Sequence, residues 1–198
     1  MELATGFSLA LPPWLAAELP DAPPAFADDA SAMAYVNALA ARNHVEGNGG
    51  PFAAVVLERD TGALVSVGVN VVLASGLSSA HAEVMALSLA QARLGRWDLG
   101  ASGRPAHTLV VNWRPCVMCG GAALWSGVRR IVIAGDGPEL EELTGFDEGP
   151  AHPEWVAEME RRGVEVRVGV GRDEAIEVFT AYGAREDAVV YNARQDGG

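Results

Sequence analysis

His81-Ala82-Glu83 and, further along, Pro115-Cys116-Val117-Met118-Cys119 decide the reading of this 198-residue chain. One imidazole and two thiolates give Zn²⁺ three protein ligands and leave the fourth tetrahedral position for water, the arrangement of a catalytic rather than a closed structural site. Bound zinc lowers the pKa of water from about 15.7 toward about 7, so a hydroxide nucleophile exists at neutral pH. Glu83, two residues past the histidine, is then the proton carrier. A carboxylate beside that water accepts its proton, delivers it to a ring nitrogen of a heterocycle and later protonates the departing amine. The products are ammonia and a carbonyl.

The spacing agrees. Cys116 and Cys119 are three apart, on one face of a helix whose first turn follows Pro115. A helix N-terminus carries partial positive charge and favours the thiolate needed for ligation. Taken alone, Cys-x-x-Cys reads as well as a redox pair or a buried polar turn; the upstream His-x-Glu moves the reading to catalytic zinc.

His-x-Glu followed by Pro-Cys-x-x-Cys matches the signature of the zinc deaminases, and the chain resembles the cytidine deaminase superfamily, within it the guanine and ammeline deaminase branch. Gly49-Gly50-Pro51-Phe52-Ala53-Ala54, Trp125-Ser126-Gly127-Val128, Gly145-Phe146-Asp147-Glu148-Gly149-Pro150 and the tail Tyr191-Asn192-Ala193-Arg194 carry the resemblance over most of the chain. It implies zinc on His81, Cys116 and Cys119, with Glu83 as proton shuttle. It also implies a small purine-like substrate, guanine giving xanthine and ammonia, and a homodimer in which the C-terminal segment, with Tyr191 and Arg194, crosses to close the partner's pocket.

Guanine presents N1–H and a 2-amino group as donors, so its pocket needs acceptors, and a carboxylate serves best. The resemblance assigns that role and a part in proton movement to Glu148, with Asp147 as the neighbouring fallback; by itself either is an ordinary acidic loop residue. Asn70 matches the family's base-binding Asn and can donate and accept toward a purine edge, although a lone Asn at a strand end also reads as a turn residue. Phe52 suits stacking on a flat base or plain core packing. One departure stands beside the first thiolate: Trp113-Arg114 occupies positions where the family usually has a small residue and a Glu. Arg114 is therefore expected to pair with Asp147 or Glu148, and Trp113 to reshape the pocket wall. Both are substrate-binding candidates, and an aminotriazine such as ammeline, a pterin, or a modified purine or nucleoside stays open as substrate.

Composition narrows the field. Hydrophobic residues make up 49% of the chain, enough for one domain with a core. No apolar run approaches the roughly 20 residues of a membrane span, and the two cysteines are both used by the metal, so a reducing cytoplasm is expected. A net charge of −12 disfavours a tRNA or other polyanionic partner. A non-catalytic zinc scaffold is opposed by the intact Glu83.

Periodicity predicts helices over 29–43, 80–94, 116–125, 153–162 and 172–182, and strands over 52–58, 63–71, 108–111, 130–134 and 164–168. Arg59-Asp60-Thr61-Gly62 closes a hairpin between the first two strands. Asp28 or Asp29 caps the first helix, Ser78 or Ser79 the second. This alternation implies an α/β fold, a mixed five-stranded sheet in a three-layer helix, sheet, helix sandwich. The domain spans 28–183, preceded by a Pro-rich arm (1–27) and followed by a polar tail (184–198). His44, His107 and His152 are expected to be structural or surface residues, His44 beyond the end of its helix.

Overall fold

The computed structural model describes residues 3–192. Its elements are α1 (Pro13–Glu18), α2 (Asp29–Val45), β1 (Ala53–Glu58), β2 (Leu64–Val69), α3 (Val72–Ser75), α4 (Ala82–Leu94), β3 (His107–Val111), α5 (Val117–Ser126), β4 (Arg130–Ile133), α6 (Glu139–Thr144), α7 (Trp155–Glu160), β5 (Glu165–Arg167) and α8 (Arg172–Gly183). The five strands form one mixed sheet in the order β2-β1-β3-β4-β5. β1 runs antiparallel to both β2 and β3, and crossovers through α5 and through α6 and α7 make β3, β4 and β5 parallel.

Period-two alternation sorts the strand side chains onto two cores. Ala53, Val55 and Leu57 face a layer made by α2 and α8, while Ala54 and Val56 face the layer of α4 and α5. The expected sandwich is therefore present. Asp28 caps α2, accepting from Ser31 N–H at 2.8 Å in a capping box. The Pro-rich leader packs on the body: α1 inserts Leu15, fully buried, into the first core, and Trp14 stacks under the Arg42 guanidinium at 4.4 Å. Leu64 N–H donates to the Pro24 carbonyl at 2.9 Å, so the leader also covers part of the β2 edge.

Two helix starts differ from expectation. α4 begins at Ala82, with His81 as an extended N-cap (ψ 158°) and no side-chain cap from Ser78 or Ser79. α5 begins at Val117, with Cys116 as its N-cap. Both ligands thus stand half outside their helices, free to turn toward one point. α4 lies close on the sheet because β2 carries Gly68, where a Cβ would come within 2.2 Å of the Ala82 carbonyl. The helix 153–162 is shorter than predicted, and α1, α3 and α6 lie where no helix was expected.

His44 sits inside the last turn of α2 rather than beyond it, buried and edge-on to Tyr182 at 5.5 Å. Burial, with Arg185 nearby, lowers its pKa. The unfolded chain therefore takes up this proton first as pH falls through about 6.5, and the stability present above that value is lost below it. Denaturant titrations at pH 7.5 and 5.5 should show a smaller acid loss in His44→Leu than in wild type. Equal losses would rule this role out.

Candidate active site

The N-termini of α4 and α5 converge, and that convergence assembles the ligands. Cys116 Sγ and Cys119 Sγ each lie 3.6 Å from His81 Nδ1. The three ligand atoms fall within 4.8 Å of one another. His81 is half-buried, while Cys116 and Cys119 are buried. A hydrogen bond from the Cys119 thiol, against the opposing cost of burial and with His81 beside it, brings Cys116 down to about 4, and the same pairing pushes Cys119 up. Burial opposes charge on His81, yet Cys116 and Glu83 carry its pKa above the ordinary value. One imidazole and two thiols at a shared point, backed by two helix N-termini, fit a zinc ion.

Glu83 lies in the first turn of α4, 6% exposed. Burial first, then the neighbouring Cys116 charge, raises its pKa. Glu148 comes from the loop after α6, whose carbonyl meets Val117 N–H at 3.4 Å. Burial and the charges of Cys116 and Glu83 push its carboxyl up to about 8. The two carboxyls, with Phe52, His81, Val111, Trp113 and Arg114, line one small cavity of about 10 Å³. That is room for about one water.

Phe52 serves both of its readings, packing edge-on to Phe146 at 5.4 Å while lining the cavity. Trp113 forms a wall, 2% exposed, its Nε1 donating to the Gly137 carbonyl at 3.3 Å. Its ring fits only because residue 135 is glycine, where a Cβ would lie 2.5 Å from the indole. Arg114 does not pair with Asp147 or Glu148. Its guanidinium donates to the Asp136 carbonyl at 3.2 Å and stands 3.8 Å from Glu141, because the chain leaving β4 passes beside it. Asp147 is not brought to the cavity: it is exposed, and Oδ1 accepts from Gly149 N–H at 2.8 Å in an Asx turn.

Asn70 is 1% exposed and adjoins Phe52, whose carbonyl accepts the Asn70 N–H at 3.1 Å, but it does not line the cavity. Tyr191 lies against its own chain, its hydroxyl accepting from Gly50 N–H at 3.0 Å and its ring 4.8 Å from Phe146. Asn192 ties the same segment down, donating to the Gly145 carbonyl at 2.8 Å. Arg194 lies outside the described residues. His107 is buried on the Leu99 carbonyl, and His152 is exposed.

Two residues escaped the sequence reading. Asn112, fully buried at the end of β3, accepts from Ala53 N–H at 3.1 Å and donates to the Pro51 carbonyl at 2.9 Å, gripping the backbone on both sides of Phe52. Asn43, from α2, donates to the carbonyls of Gly50 and Asn70. Neither carried a motif; an Asn at a helix end and another after a strand read as boundary residues.

Comparison with known proteins accords with this geometry. The family model of the cytidine and deoxycytidylate deaminase zinc-binding region matches residues 27–135. Guanine deaminase of Bacillus subtilis (strain 168) is 33% identical over 118 residues, 60% of this chain and 70% of that protein. A solved guanine deaminase from Nitrosomonas europaea superposes with TM-score 0.85 at 42% identity, covering 93% of this chain and 100% of that one. A structure solved in complex with 8-azaguanine gives TM-score 0.85 at 43% identity, covering 91% and 99%.

Proposed function

The chain belongs to the cytidine and deoxycytidylate deaminase family, and on that premise we propose that it is a zinc-dependent aminohydrolase converting guanine and water to xanthine and ammonia. The observation that carries the guanine reading is Glu148, a second carboxyl, half-buried, facing the same cavity as Glu83. Zinc held by His81, Cys116 and Cys119 supplies, when bound, a water acidic enough to act as nucleophile near neutral pH. Glu83 would take one proton of that water and pass it to the ring nitrogen beside the carbon bearing the 2-amino group. Glu148 would accept from the donor edge of the base and relay the second proton of the water to the departing amine, so that ammonia leaves and both carboxyls end as they began. Burial raises both carboxyl pKa values in the one cavity, that of Glu148 to about 8, which suits groups that hold and release a proton.

A purine is too large for a cavity of about 10 Å³, so the lining must shift on binding. The loop bearing Glu148 and the segment bearing Tyr191 are tied to each other through Asn192, whose Oδ1 accepts from Asp147 N–H at 2.9 Å. They would move together, letting the base reach Asn70. Among the described residues no helix is long and apolar enough to cross a membrane, consistent with a cytoplasmic enzyme. A homodimer completes the proposal; the tail exchange that the resemblance implied is not part of it, because the described part of that segment, through Tyr191 and Asn192, packs on its own chain.

The test is ammonia release by the zinc-loaded protein against guanine, guanosine, adenine, cytosine, cytidine and ammeline, with Glu83→Ala as blank. Release from guanine above the blank supports the proposal; silence on guanine with activity on another compound would make Trp113-Arg114, both lining the cavity, the specificity change. Glu148→Gln should lower kcat/KM for guanine by about 10²-fold or more while zinc content stays unchanged. Unaltered kinetics would remove Glu148 from the reaction.

A further inference from the structure

Asn43 stands in the last turn of α2, fully buried and remote in sequence from every metal ligand. Its Nδ2 donates two hydrogen bonds, at 3.0 Å to the Gly50 carbonyl and at 2.8 Å to the Asn70 carbonyl. One acceptor lies two residues before Phe52 and the other just past the end of β2, so a single amide locks together two strand ends that flank the cavity. Gly50 is held from its other side by the Tyr191 hydroxyl at 3.0 Å.

The Asn70 side chain is constrained as tightly. Its Oδ1 accepts from Val72 N–H at 3.1 Å, and its backbone N–H is committed to Phe52. What remains is Nδ2, buried and making no close hydrogen bond, with the Tyr191 hydroxyl as a polar neighbour. Rotating the amide would lose the Val72 bond, so Asn70 offers a donor only. A buried donor left unpaired costs free energy that an acceptor on a ligand removes. Guanine carries such acceptors at O6, N3 and N7.

We infer that Asn43 is a positioning residue for base recognition, holding the Asn70 peptide against Gly50 so that Asn70 meets the purine with its Nδ2 donor in a fixed place. This inference rests on the guanine reading and on Asn70 contacting the base.

Steady-state kinetics on guanine should compare zinc-loaded wild type with Asn43→Ser, Asn70→Ala and the double variant, with zinc content and melting temperature measured alongside. Asn43→Ser should raise KM about tenfold and leave kcat within about threefold, and the double variant should be no worse than Asn70→Ala, because Asn43 acts through Asn70. An unchanged KM, or effects that multiply in the double variant, would overturn the assignment. Asn43→Asp keeps the side chain's size and removes the donor, and gives the same comparison should the serine variant fail to fold. Asn70→Asp retains the acceptor for Val72 N–H and deletes the donor, so its KM should rise at least as far as that of Asn70→Ala; a wild-type KM would also overturn the inference. A wild type silent on guanine overturns the activity reading and this inference together, whereas an active wild type with an unmoved Asn43→Ser KM overturns only the latter.

Discussion

Glu83→Ala is expected to keep its zinc and to lose turnover by about 10³-fold or more, the upper part of what a positioned general acid and base contributes. The ligand set is untouched by this change, since His81, Cys116 and Cys119 define the metal point without the carboxylate. What disappears is the one carboxyl in the first turn of α4, 6% exposed and held in the same cavity as His81. Glu83→Gln should behave alike: it preserves shape and hydrogen-bonding capacity but holds no transferable proton at neutral pH. The check is ammonia release per zinc-loaded chain together with metal analysis, and full activity in either variant would end the mechanism.

Cys116→Ala is expected to fail differently, losing metal and stability at once. Cys116 is the N-cap of α5 and the thiol with the lowered pKa, so its removal takes away a ligand and the thiolate nearest to formation. Binding to the folded state alone stabilises it by about 4 kcal/mol at a thousandfold excess over Kd. In a chain of this length that corresponds to a fall in melting temperature of about 10 °C. Zinc content should drop below about one tenth per chain, consistent with the dependence of such sites on a full, deprotonated ligand set. A chelator should lower the wild-type melting temperature by a similar amount and leave that of Cys116→Ala unmoved. Retained zinc in Cys116→Ala would place the ion elsewhere.

The long strands and helices were legible because each carries a full period of pattern. β1 alternates between two cores through Ala53, Ala54, Val55, Val56 and Leu57, and α2 presents Met33, Val36, Leu39 and Ala40 on one side. α1, α3 and α6 span six, four and six residues, too short to show a 3.6-residue repeat, and none has a side-chain cap to announce it. The leader read as an arm for the same reason: its prolines mark interruption, and nothing local shows that Leu15 reaches the core. Arg114 was matched with Asp147 and Glu148 by charge and proximity to the motif. Its acceptor on Asp136 and its partner Glu141 come from the crossover after β4, which sequence distance does not reveal.

The metal ligands and Glu83 were legible in sequence because a zinc site needs particular atoms and two short motifs carry them all, while the convergence of α4 and α5 is what brings His81, 35 residues away, to Cys116. Acceptors and donors for a substrate carry no such constraint: any carboxyl or amide can serve, and what selects among them is which loop passes the metal and which neighbour has already used their hydrogen bonds. Tertiary structure therefore decided that Glu148 faces the cavity while Asp147 braces its own turn, that Trp113 is a wall made possible by Gly135, and that Asn43 and Asn112 hold the backbone around Phe52 and Asn70.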